Sequence, residues 1–101
     1  MTAYVIFIRE EPVRDPAAMA EYRRLNAANQ SQKYNIKPLV VYGAMEAFEG
    51  KAPDGIIMLE FPSAEEAKAW YNSPGYQAAI PFRQQAADYR AILVEGAALP
   101  K

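Results

Sequence analysis

The chain has 101 residues, 51% of them hydrophobic, with 11 basic and 12 acidic side chains and a net charge of −1. That is one domain's worth of sequence, residues 1–101, too apolar for disorder and without the basic excess that would suit nucleic acid. It contains neither cysteine nor histidine, which excludes disulfides, thiolate chemistry and the commonest general base and metal ligand.

The first apolar run, Tyr4-Val5-Ile6-Phe7-Ile8, is rich in β-branched and aromatic residues and reads as a strand. With no basic stretch before it, it is too short for a signal peptide, and no run approaches a membrane span. A soluble cytoplasmic protein is expected. Asp15-Pro16 supplies an N-cap followed by proline at the first helical position, and a helix is predicted from Ala17 to about Lys33. Its apolar side carries Ala18, Met19, Tyr22 and Leu25.

Leu39-Val40-Val41-Tyr42 begins a second strand, expected to run past Gly43 to Phe48 with a bulge at the glycine. Glu49 to Gly55 is turn chemistry, and Ile56 to Phe61 is a third strand. Ser63-Ala64-Glu65-Glu66 is a capping box opening a second helix. Ser73-Pro74 caps a further helix to about Ala87, with a kink expected at Pro81, and Tyr89 to Glu95 is the last strand.

The order is βαββαβ with an extra helix before the last strand. It predicts an α+β, ferredoxin-like antiparallel sheet with helices on one face. A sheet half in water alternates apolar and polar side chains. Here Tyr4, Ile6 and Ile8 fall on one face and Val5 and Phe7 on the other, while Ile56 and Met58 oppose Ile57, Leu59 and Phe61. Both faces call for burial, and the helices cover only one. Burying even ~600 Å² of the other is worth about 15 kcal/mol gross, before association costs. A homodimer, sheet against sheet, is expected.

The segment Trp70-Tyr71-Asn72-Ser73-Pro74-Gly75-Tyr76-Gln77-Ala78-Ala79, continuing through Arg83 and Ala87-Asp88 to Leu93-Val94-Glu95-Gly96, resembles the family known as domain of unknown function 1330. Leu59-Glu60-Phe61-Pro62-Ser63, Asp15-Pro16 and Tyr22 fit the same pattern. The resemblance implies a dimeric α+β barrel, two sheets closing on each other, and no particular activity. Tyr42 stands where that family often has an arginine, so no role of that arginine carries over.

Arg83 is the first candidate ligand residue. Tyr76, Ile80, Arg83 and Ala87 form one helical stripe facing the body of the protein, and a guanidinium there needs a partner. An ion pair with Asp88 or Glu95, or snorkelling along the stem, is the more economical reading; a carboxylate-bearing ligand is the alternative. Tyr22 and Asn26 continue the apolar face of the first helix and could line a cavity, as could Tyr42, Trp70 and Tyr76, although core or interface packing is the more economical reading of such aromatics. Glu60 has the phase of Ile56 and Met58, whereas Glu65 and Glu66 read as a solvated helix face. No metal ligand set and no cofactor motif appears. The sequence therefore points to a small-molecule binder or cofactor-independent enzyme of an anionic or aromatic compound, or to a non-catalytic dimeric regulatory or structural module.

Overall fold

The computed structural model describes residues 1–97, with the backbone alone for residues 30–33. Its elements run β1 (Ala3–Arg9), α1 (Pro16–Lys33), β2 (Lys37–Val41), β3 (Gly55–Phe61), α2 (Ala64–Tyr71), α3 (Pro74–Ala86) and β4 (Tyr89–Glu95). The four strands form one sheet in the order β2-β3-β1-β4, every neighbouring pair antiparallel. This is the ferredoxin-like arrangement expected from the element order, extra helix included.

Each helix starts where the sequence places a cap. The Ala18 N–H donates to the Asp15 carboxylate at 3.1 Å, and the Glu66 N–H donates to the Ser63 hydroxyl at 3.2 Å. Ser73 serves two helices: its hydroxyl donates to the Trp70 carbonyl at 2.7 Å, closing α2, and accepts from the Tyr76 N–H at 3.3 Å, opening α3. The helix continues through Pro81 to Ala86. α1 packs along α3, while α2 lies on β1, β3 and β4. The α1–α3 approach is close at Gly75, where a Cβ would stand 2.3 Å from the Asn29 side-chain oxygen. The Asn29 amide donates to the Ser73 hydroxyl at 3.1 Å, so only glycine leaves room for the residue that ties α1 to that cap.

The expected continuation of β2 to Phe48 is not found. β2 ends at Val41, and residues 42–54 form the connection to β3. The cause is local: Tyr42 has φ 53°, a left-handed conformation that turns the chain out of the sheet and that a bulky side chain seldom adopts. Glu46 and Glu49 consequently sit exposed in this connection.

The main core lies between sheet and helices. Val5, Phe7, Leu59 and Phe61 from the sheet meet Ala67, Trp70, Tyr76 and Ile80 from the helices. Trp70 is at its centre, with ring centroids of Tyr76 at 4.1 Å, Phe61 at 5.5 Å and Phe7 at 6.3 Å. The opposite sheet face carries Tyr4, Ile6 and Ile8 in register with Glu60, Met58 and Ile56 on one side and with Val94, Ile92 and Arg90 on the other. The molecule is 16 Å thick along its shortest axis, room for one sheet and one helix layer, so none of the described helices covers this second face. Ile92 and Val94 on it are 42% and 43% exposed. The two-faced strands are thus present as read, and Glu60 lies on the uncovered face, paired in register with Lys37 of β2.

Candidate functional site

α1 leaves part of the helix-facing side of β2 uncovered, and Val41 there is 59% exposed. Between them is a cavity of about 290 Å³. Its floor is Phe7, Ile57 and Leu59 of the sheet, with Pro38, Val41 and Tyr42 on the β2 side. Its helix side is Met19, Tyr22, Arg23 and Asn26, and Trp70 closes it from α2. Four of the six residues singled out from sequence, Tyr22, Asn26, Tyr42 and Trp70, therefore come together around one cavity. Tyr76 and Arg83 do not line it; they stand one layer behind.

Two tyrosine pairs organise that layer. The Tyr22 and Tyr76 hydroxyls are 2.8 Å apart, and those of Tyr42 and Tyr89 are 2.6 Å apart. Tyr42 reaches Tyr89 because its ring crosses the backbone at Gly55: a Cβ there would lie 2.6 Å from the ring. The Arg9 guanidinium lies over the Tyr42 ring, 4.4 Å from its centroid, and is itself held by Asp54 at 2.7 Å. The left-handed backbone at Tyr42, the missing side chain at Gly55 and the Arg9–Asp54 pair together fix one hydroxyl. Backbone strain of this kind persists only where the surroundings over-determine it.

Arg83 is 5% exposed. Its guanidinium carbon lies 5.4 Å from the ring centroids of both Phe7 and Tyr89, a cation–π setting that compensates part of its desolvation. It is also close enough to Tyr76 to favour the ionised phenol there. The ion pair expected with Asp88 or Glu95 is not formed: Asp88 pairs with Arg14 at 3.0 Å, and among the described residues no carboxylate pairs with Arg83. Its Nε has no acceptor, and neither has the indole Nε1 of Trp70. Buried donors without partners are uncommon, and an ordered water or another acceptor commonly meets them.

The tyrosine hydroxyls hold their protons. Burial pushes Tyr22 and Tyr42 well above the ordinary phenol range, reinforced by Tyr76 for the first and by Tyr89 for the second. Burial likewise raises Tyr76, opposed by its bond to Tyr22 and by the nearby Arg83 cation. Unfolded tyrosines ionise near pH ~10. A group whose folded value is raised contributes its full stability below that pH and loses it as the pH climbs toward the folded value. The expected result is alkaline destabilisation setting in above pH ~10, with a shallower slope in a Tyr22→Phe/Tyr42→Phe double variant. Melting temperature against pH, followed alongside tyrosinate absorbance, checks it.

A second hollow, of about 280 Å³, lies between α2 and the β4 edge and is lined by Val5, Ala67, Tyr71 and Leu93 among others. Neither buried unpartnered donor lines it. Among the described residues, no group of three or more acidic side chains is placed to hold a metal ion, and no helix is long and apolar enough to cross a membrane.

Sequence reasoning missed Arg9, Asp54, Gly55 and Tyr89. The signal available was the register: Arg9 faces Gly55 on one side and Tyr89 on the other, a pairing legible only once the strand order is known.

A family model, described as domain of unknown function 1330, matches residues 2–97. No curated protein matches the chain. Among solved structures, it is similar to a protein of unknown function, RPA0582, from Rhodopseudomonas palustris, with 18% identity over 95% of this chain and 82% of that one and a TM-score of 0.72. A dimeric ferredoxin-like protein of unknown function from Thermobifida fusca matches with 13% identity, 94% and 91% coverage and a TM-score of 0.61. SnoaB, a cofactor-independent oxygenase from Streptomyces nogalater, matches with 13% identity, 99% and 97% coverage and a TM-score of 0.56. At these identities the likeness is one of fold.

Proposed function

The chain belongs to the domain of unknown function 1330 family, whose name carries no activity, and from its own geometry we propose that it binds a small, flat, largely apolar molecule in the cavity between α1 and the sheet, as a homodimer joined through the uncovered sheet face. The observation that carries the first part is the cavity itself, walled by aromatic rings and closed from α2 by Trp70. Phe7, Tyr22, Tyr42 and Trp70 supply aromatic walls, and the cavity volume suits a ligand of one or two fused rings. The second part is supported by the apolar, half-exposed face of β1, β3 and β4 and by the description of the Thermobifida fusca structure as dimeric.

Binding is favoured over catalysis by the lining itself. Among the described residues it holds no carboxylate, histidine or cysteine, and its tyrosines Tyr22 and Tyr42 are kept protonated, so these offer hydroxyls and no base. The enzymatic reading draws on SnoaB, a cofactor-independent oxygenase of similar fold; a ligand that brings its own reactivity needs no base from the protein.

The test is a thermal-shift and calorimetric screen of aromatic carboxylates, phenols and lactones. At least one class is expected to raise the melting temperature saturably. Val41→Trp, which fills the cavity from an exposed position, is expected to remove the shift while leaving the parent stability nearly intact. If no compound of any class shifts the parent protein, the cavity is not a ligand site.

A further inference from the structure

At the junction of α3 and β4 lies a separate hollow of about 330 Å³, with Tyr71, Arg83, Gln84, Asp88, Tyr89 and Ala91 on its lining. It shares no lining residue with the cavity under α1. The charged end of Arg83 stands at this hollow, not only its stem. The guanidinium carbon is 5.4 Å from the ring centroid of Tyr89, which lines the hollow. It is equally far from that of Phe7, whose register partner Ala91 lines it too. A guanidinium has five N–H donors and no acceptor. Here it is 5% exposed, its Nε has no acceptor, and among the described residues no carboxylate pairs with it. Asp88, the one carboxylate on the lining, is held by Arg14 at 3.0 Å. Arg14 also donates to the Gln84 and Gln85 carbonyls, at 2.6 and 3.1 Å. Asp88 is thus tied to the end of α3 and not to Arg83.

We propose that this hollow is a second binding site, for a small organic monocarboxylate whose two oxygens meet the Arg83 guanidinium. A buried cation without a counter-charge is costly, and two aromatic faces offset only part of that cost. A carboxylate supplies the missing charge and matches the planar fork of donors with two oxygens. The walls narrow the class further. Tyr71, Tyr89 and Ala91 suit a flat, apolar body, and Asp88 on the lining disfavours a second negative charge on the ligand. The carboxylate partner that helical spacing calls for at Arg83 is then brought by the ligand. This site is independent of the cavity under α1, and either reading can fail alone.

The probes are benzoate and benzamide, its uncharged counterpart of the same shape. Calorimetry measures both affinities, and the arginine Nε–H region of a proton–nitrogen correlation spectrum shows whether Arg83 is touched, its resonance identified by its loss in Arg83→Lys. Benzoate is expected to bind at least about tenfold more tightly than benzamide and to shift the Arg83 Nε–H resonance, which benzamide leaves in place. Arg83→Lys keeps the charge and loses the fork, and is expected to weaken benzoate about tenfold. Gln84→Trp fills the hollow from an exposed position without touching Arg83, and is expected to abolish benzoate binding while the fold is kept. Val41→Trp, which fills the other cavity, should leave it within about twofold. The proposal is overturned if the two probes bind equally, if the Arg83 resonance does not move, or if Gln84→Trp still binds benzoate. Loss of benzoate in Val41→Trp alone would assign it to the cavity under α1 and leave Arg83 met by water only.

Discussion

Ile6→Glu is expected to convert the proposed dimer into a monomer that keeps its fold. Ile6 stands mid-strand in β1, flanked in register by Met58 of β3 and Ile92 of β4, so it is central to the apolar face that none of the described helices covers. In a twofold interface the same patch is used on both copies, and one substitution acts twice. A carboxylate placed in an apolar seam without a partner costs about 3 kcal/mol or more, which corresponds to at least about a hundredfold weaker dimerisation. Within one subunit Ile6 is only half-buried, so the fold tolerates the charge where the seam does not. Sedimentation velocity over a range of concentrations reads the mass, and far-ultraviolet circular dichroism checks the fold. An unchanged mass would remove the sheet face as the seam.

Trp70→Ala is expected to be the most damaging single change to stability. The side chain is fully buried and touches aromatic rings from the sheet and from α3. Truncating a core aromatic of this size costs ~3–5 kcal/mol, because its contacts are lost and a void remains. A domain of this length holds only ~5–15 kcal/mol in all. The melting temperature is expected to fall by more than ~15 °C. Trp70→Phe separates the two roles of the residue. It keeps most of the bulk and deletes a buried N–H that has no acceptor, so its cost is expected to be under ~1.5 kcal/mol. Its ligand affinity should fall all the same, since Trp70 closes the proposed cavity and the smaller ring leaves a gap in that wall. Chemical denaturation and calorimetry on the two variants give both numbers.

The fold was legible in the sequence wherever a local signal and a periodic one agreed. Asp15-Pro16, Ser63 with Glu66, and Ser73-Pro74 each open a helix as their chemistry requires. Strict alternation in β1 and β3 told which side chains share a face. The failure at β2 has an identifiable source. Tyr42 to Phe48 is apolar enough to continue a strand, and the event that ends it is a left-handed backbone at a tyrosine, which composition alone argues against. The site was half legible for a related reason. Helical spacing put Tyr22 and Asn26 toward the sheet and Arg83 toward the body, and all three are where spacing placed them. What spacing could not supply was the second partner of each contact. Arg83 found two aromatic rings and Tyr76 rather than a carboxylate, and Tyr42 found Tyr89, 47 residues away.

The alternation along β1 has a consequence for how such a chain can diverge. Odd positions, Val5, Phe7 and Arg9, belong to the core, the cavity floor and the tyrosine clamp; even positions, Tyr4, Ile6 and Ile8, belong to the opposite face. On the proposed function, ligand preference and choice of partner are thereby written on the same seven residues in two interleaved scripts. Substitutions of one parity can retune what is bound while the pairing of subunits stays as it was, and the reverse holds for the other parity. A single-residue insertion or deletion within the strand is the one change that exchanges the two scripts, and it would cost both at once.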